Sequence, residues 1–152
     1  MSDRRCTVSG VSGLPDLRDF VRPNTGAAEI TVLLRGGPDS AEKLAVHAQR
    51  LGRAFVLDGN PVLGVSVFAA LDDIGYASQD GILSGKLATY RLVHHVLVGD
   101  LHVAGFTVLP TFGRPHMTVV VSGLDRVEPL LEVFGSAHAN PHYGEMVRRR
   151  RG

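Results

Sequence analysis

Two strand-like runs near the C-terminal end of the chain follow each other with no helix between them. Phe106–Leu109 and His116–Val121 are separated only by Pro110-Thr-Phe-Gly-Arg-Pro115, whose glycine and prolines suit a wide hairpin turn. A hairpin breaks the strict strand–helix alternation that a doubly wound parallel sheet requires, so the chain points to α+β. Three further runs carry the β-branched and aliphatic residues of buried strands: Ala28–Leu34, Val62–Ala70 and Leu92–Val98. The expectation is a single compact α+β domain with a mixed, largely antiparallel sheet of about five strands and about three helices.

The helices follow from apolar spacing. Leu44, Ala48, Leu51 and Phe55 recur as one stripe behind Arg35-Gly36-Gly37-Pro38, with Asp39 as the expected N-cap and Glu42 three residues on. Lys43, His47 and Arg50 form a basic stripe on another face of that helix, the kind of charged face that is usually solvated. A second helix is expected over about Ser78–Tyr90, and a closing helix over Leu124–Phe134. Residues 1–26 read as a flexible arm with a turn of helix near Pro15–Phe20, residues 27–135 as the domain, and residues 136–152 as a mobile basic tail ending in Arg148–Arg151.

Composition excludes several classes. The 152 residues are 44% hydrophobic and 20% charged, as in ordinary globular domains, so disorder is not expected. Cys6 is the single cysteine, which forbids an intrachain disulfide. No apolar run approaches the ~20 residues of a membrane span, and the first 25 residues lack a signal-peptide core, so a cytoplasmic protein without membrane contact is expected. The net charge of +1 hides unlike parts: residues 36–147 carry seven basic and eleven acidic groups, whereas residues 148–152 carry four arginines. A polyanionic partner is therefore confined to the tail and to individual arginines such as Arg35 and Arg114.

Candidate chemistry centres on Arg35 and on the histidines of the second half. A strand-terminal Arg before Gly-Gly suits a bidentate grip on phosphate, with the backbone close to the ligand. Strand alternation puts His116, Thr118 and Val120 on one face of their strand. His116 with His94 or His95 opposite, Tyr90 as a further acid, and Arg35, Arg114, Thr118 and Ser66 around the phosphate would make a metal-independent ribonuclease site, because RNA supplies its own 2′-hydroxyl nucleophile. No metal-ligand motif is present: Asp72, Asp73 and Asp80 lack calcium-loop spacing.

Two resemblances are local. Arg35-Gly36 followed by Ser66 in Gly-Val-Ser-Val-Phe resembles the Arg and Ser elements of ADP-ribosyltransferases. The resemblance implies an Arg on the NAD phosphate and a Ser helping to hold the nicotinamide half. No Glu stands on a late strand to match that family's catalytic acid, since Glu128, Glu132 and Glu145 lie in the final helix or the tail. His116-Met117-Thr118 resembles one half of the two-histidine phosphoesterase signature, in which the His does acid–base work and the Thr binds phosphate. No other histidine is followed by x-Thr or x-Ser. The functional expectation is a small bacterial enzyme acting on RNA or a nucleotide cofactor, of the size seen in toxin modules of toxin–antitoxin or defence loci, with a cognate protein partner. The alternative is a non-catalytic binding or regulatory module that uses the arm and tail. The sequence leaves the cofactor, the choice between RNA cleavage and NAD chemistry, and the oligomeric state open.

Overall fold

The computed structural model describes residues 13–21, 31–70 and 78–144. The expected strand start at Ala28, Cys6, Asp72, Asp73, Glu145 and the Arg148–Arg151 run lie outside these residues. The described chain is α+β, built on one six-stranded sheet in which every pairing is antiparallel. Its elements, in order, are β1 (Val32–Gly37), α1 (Ala41–Gly52), β2 (Val56–Leu57), β3 (Asn60–Pro61), β4 (Leu63–Ala70), α2 (Gln79–Ser84), β5 (Leu92–Leu97), α3 (Val98–Val103), β6 (Thr107–Pro110), β7 (His116–Val121), α4 (Val127–Phe134) and β8 (His138–Ala139). The sheet order is β6-β7-β4-β1-β5-β8, with β2 and β3 forming a separate small hairpin.

Alternation along the strands divides the apolar residues between two faces. Leu33, Val65, Val67, Ala69, Val96, Met117, Val119 and Val121 pack with Leu44 and Ala48 of α1, Leu101 of α3 and Leu130 and Phe134 of α4. On the opposite face, Leu34, Phe68 and Val93 meet Ile82, Leu83 and Leu87 in and after α2. The sheet is thus covered by three helices on one side and one on the other.

The structure changes two local expectations. β1 does not end at Leu34 but continues through Arg35, Gly36 and Gly37, because β5 pairs with it as far as Gly37↔Leu92. The glycines permit this: a Cβ on Gly36 would lie 2.4 Å from the Tyr90 ring, and one on Gly37 would lie 2.7 Å from His94. Ser40, not Asp39, caps α1, with Oγ accepting from the Lys43 amide at 3.1 Å. Asp39 is withdrawn into an ion pair with Arg35.

Both ends of the described chain also pack onto the body. Asp16–Val21 bridges to Val56 and Thr111, and Leu17 is fully buried. Past residue 135, β8 adds a strand beside β5, and Asn140 is buried. Among the described residues no helix is long and apolar enough to cross a membrane.

Candidate functional site

The cleft is created by a split in the centre of the sheet. β1 and β4 pair at only three positions, Val32↔Ala70 to Leu34↔Phe68. Beyond them β1 stays with β5 and β4 stays with β7, so the two strands diverge. The opening, with α1 along one side and the Lys86–Tyr90 segment along the other, holds a cleft of about 510 Å³. Arg35, Lys43, Arg50 and Lys86 line it with His47, Ser66, Phe68, Tyr90, Gly36 and Gly37, and among the described residues Asp39 is its one carboxylate. Lys43, His47 and Arg50, expected as a solvated stripe, therefore form a wall of the cleft.

Arg35 spans the split. Its Nε donates to Asp39 Oδ2 at 2.7 Å, one terminal nitrogen donates to the Ser66 carbonyl at 2.8 Å, and the other to His47 Nδ1 at 2.7 Å. A guanidinium can only donate, so His47 Nδ1 is the acceptor and its proton sits on Nε2. Burial, then the Arg35 charge, holds the His47 pKa below its ordinary value. The Arg35 and Asp39 side chains are only 8% and 3% exposed, so this is an ion pair removed from water.

His94 is opposite Arg35 in the β1–β5 register, whereas His95 is opposite Leu34 and so faces the other side of the sheet. That register settles which of the two histidines shares Arg35's face. His94 nevertheless stays behind the cleft: its ring packs 5.7 Å from that of Phe134, and its Nε2 accepts from the Asp39 amide at 3.1 Å. The neutral ring therefore carries its proton on Nδ1, which faces the backbone of Phe134 and Gly135 without completing a well-formed hydrogen bond. Burial lowers the His94 pKa against the opposing pull of Asp39. His95 is exposed, 6.1 Å from the His138 ring, and does not line the cleft. Neither histidine occupies the position expected of a catalytic acid or base.

The pH dependence of stability follows from His94. Its folded-state pKa lies below that of the unfolded chain, near 6.5. The unfolded chain takes up a proton below about pH 6.5 while the folded one does not. Stability is complete above that pH and falls as the pH drops toward the folded value, by up to ~1.4 kcal/mol per pH unit for this one group. Urea unfolding at pH 7.5 and 5.5 measures the loss, which should shrink in His94→Gln. A flat profile would remove the neutral buried histidine from this account.

His116 and Ser66 meet on the face of the sheet opposite Arg35's side chain. Ser66 pairs with Thr118 and Phe68 with His116 in the β4–β7 register. Ser66 Oγ lies 2.9 Å from His116 Nε2. His116 Nδ1 lies 3.2 Å from the Thr111 carbonyl and 3.1 Å from Thr111 Oγ1. A carbonyl only accepts, so Nδ1–H donates to it, and Nε2 is left to accept the Ser66 hydroxyl proton. The ring is held edge-on between Phe68 and Phe112, at 5.7 and 5.2 Å. Burial pushes the His116 pKa down, and the Lys86 charge adds to the effect.

The remaining candidates divide. Tyr90 lines the cleft beside Gly36. Thr118 is buried, its Oγ1 2.7 Å from that of Thr111, so it braces the His116 support and presents no hydroxyl to a ligand. Arg114 stands in the β6–β7 loop and does not line the cleft. Thr111 and Lys86 carry no sequence motif, and only the fold brings them to this place. Among the described residues no three His, Cys, Asp or Glu side chains converge as a metal-ligand set. No protein-family profile, curated protein or solved structure matches the chain.

Proposed function

We propose that the protein is a small enzyme acting on a phosphate-bearing substrate, a nucleotide or an RNA segment, seated in the split between β1 and β4. The observation that carries this reading is the charge of the cleft. Among the described residues four cations line it, and the only carboxylate, Asp39, is already paired with Arg35. This leaves three positive charges in excess on a concave surface that also offers Tyr90 and Phe68 for stacking. His116, held neutral with Nε2 as acceptor, supplies the base. A role as a toxin with a cognate partner belongs to the same proposal and is supported only by the chain's size.

Calorimetric titration with AMP, NAD and a short oligoribonucleotide tests it, followed by product analysis of the RNA and NAD. Lys43→Ala/Arg50→Ala and Lys86→Ala are each expected to weaken binding by about tenfold or more, since a charge-assisted hydrogen bond contributes roughly 1.5–3 kcal/mol. The affinity should fall with added salt. Binding that ignores these substitutions would remove the cleft as the site. Tight binding without turnover of either substrate would leave a binding module in place of an enzyme.

A further inference from the structure

Ser66 stands out once the cleft is drawn, because the role of a phosphate-binding hydroxyl does not account for its geometry. It is exposed at the mouth of the cleft while its Oγ is bonded to a histidine. That histidine is oriented from behind by Thr111, whose hydroxyl is in turn held by Thr118. A hydroxyl, a base and a group that fixes the base's tautomer make up the arrangement that activates a nucleophile. An incidental strand serine needs no such chain, and both threonines that support it are buried. Arg35 grips the carbonyl of Ser66 itself at 2.8 Å, and Lys86 lies close enough to His116 to disfavour its protonation.

We propose that Ser66 is the nucleophile of this site, attacking the phosphorus of a bound phosphate ester with His116 as its general base. This rests on the reading of the cleft as a phosphate-ester site. In the first step the Ser66 Oγ–H proton passes to His116 Nε2, and the Oγ–P bond forms. The bond from phosphorus to the leaving alcohol breaks, and the imidazolium returns the proton to that alkoxide. In the second step water gives a proton to His116 and attacks the phosphoserine. The Oγ–P bond then breaks, and Ser66 recovers its proton from His116. Lys86, which lines the cleft with Ser66, offsets the negative charge that gathers on the phosphoryl oxygens. A serine nucleophile also extends the range of substrates beyond RNA, because no 2′-hydroxyl is needed.

Diisopropyl fluorophosphate tests the hydroxyl directly. Its P–F bond breaks as the Oγ–P bond forms, and fluoride leaves. Wild-type protein is expected to give one covalent adduct, which peptide mass mapping places on Ser66. The adduct should be absent in Ser66→Ala, whose exposed position lets the fold persist. Labelling should slow by ~10²-fold or more in His116→Ala, the scale of a lost general base. Thr111→Val provides a second, milder variant should His116→Ala fail to fold. The wild-type rate should rise with pH and level off below the ordinary histidine value of 6.5, because the neutral imidazole is the active form. No adduct, an adduct on another residue, or a rate indifferent to both His116 and Thr111 overturns the assignment. AMP binding measured on the same preparation separates the two readings. AMP binding without a Ser66 adduct overturns the nucleophile alone, and a Ser66 adduct without AMP binding supports it while removing the cleft's proposed ligand.

Discussion

Arg35→Ala should destabilise the protein by about 3–5 kcal/mol, the cost of removing one partner from a buried ion pair. The magnitude follows from what is left behind. Asp39 would remain almost fully buried, its carboxylate without the guanidinium that meets both of its oxygens, at 2.7 and 3.4 Å. The Ser66 carbonyl and His47 Nδ1 would lose their donors at the same time. Arg35→Lys preserves the charge but not the planar fork, and one ammonium cannot meet Asp39, Ser66 and His47 in their present directions. It should recover only part of the loss. The informative variant is Arg35→Ala/Asp39→Ala. If the stranded carboxylate is the main cost, the double variant is more stable than Arg35→Ala alone, and urea unfolding of the wild type, Arg35→Ala, Asp39→Ala and the double variant gives the coupling energy. Additive losses, or a cost under ~1 kcal/mol for Arg35→Ala, would show that the pair is solvated.

How much of this could be read from the sequence depends on the range of the interaction concerned. The hairpin of β6 and β7, the apolar runs of β4 and β5 and the shared face of His116 and Thr118 all follow from local periodicity, and the strands stand close to where that periodicity puts them. Local chemistry points to Asp39 as the N-cap of α1, but Ser40 takes that place. Either residue suits an N-cap, and the choice is made by Arg35 four residues earlier, which takes Asp39 for itself. The Arg35-Gly36-Gly37 segment reads locally as a strand end. It becomes strand because β5 supplies a partner for each residue and because glycine alone fits against Tyr90 and His94.

The site was less legible because its parts converge from far apart. The contact between Ser66 and His116 depends on the β4–β7 register across fifty residues, which no motif encodes. Arg35 and Ser66 were both singled out, yet the link between them is a guanidinium bonded to a backbone carbonyl, which residue identity cannot reveal. Lys43, His47 and Arg50 were visible as a stripe, but a stripe does not say whether it faces water or a cleft. Charge averages misled in the same way. Residues 36–147 carry more acidic than basic groups, while the cleft they form with Arg35 is lined, among the described residues, by four cations and one carboxylate.

A Gly-, Asn- and Pro-containing stretch after the last helix gave no reason to expect an anchor, yet Asn140 is one. Its Nδ2 faces the carbonyls of Leu83, Leu87 and Tyr90 at 3.1, 2.9 and 3.1 Å, and its Oδ1 accepts from the His142 amide at 2.9 Å. The three carbonyls belong to the last turn of α2 and to the segment running to Tyr90, which is the wall of the cleft that carries Lys86. Asn140→Asp changes few atoms but replaces the donor with an acceptor beside three buried carbonyls. It should cost more than Asn140→Ala, which only leaves them unsatisfied at about 1–3 kcal/mol. Both variants should loosen Leu83–Tyr90, so amide exchange there should accelerate before the six-stranded sheet is affected. The Asp variant should also partly recover at low pH, where a protonated carboxyl again offers one donor. Hydrogen exchange read by mass spectrometry separates local from global opening. Unchanged protection over residues 83–90 in Asn140→Asp would mean that this wall is held by the packing of Ile82, Leu83 and Leu87 alone. In that case Lys86 would keep its place without any contribution from the chain beyond α4.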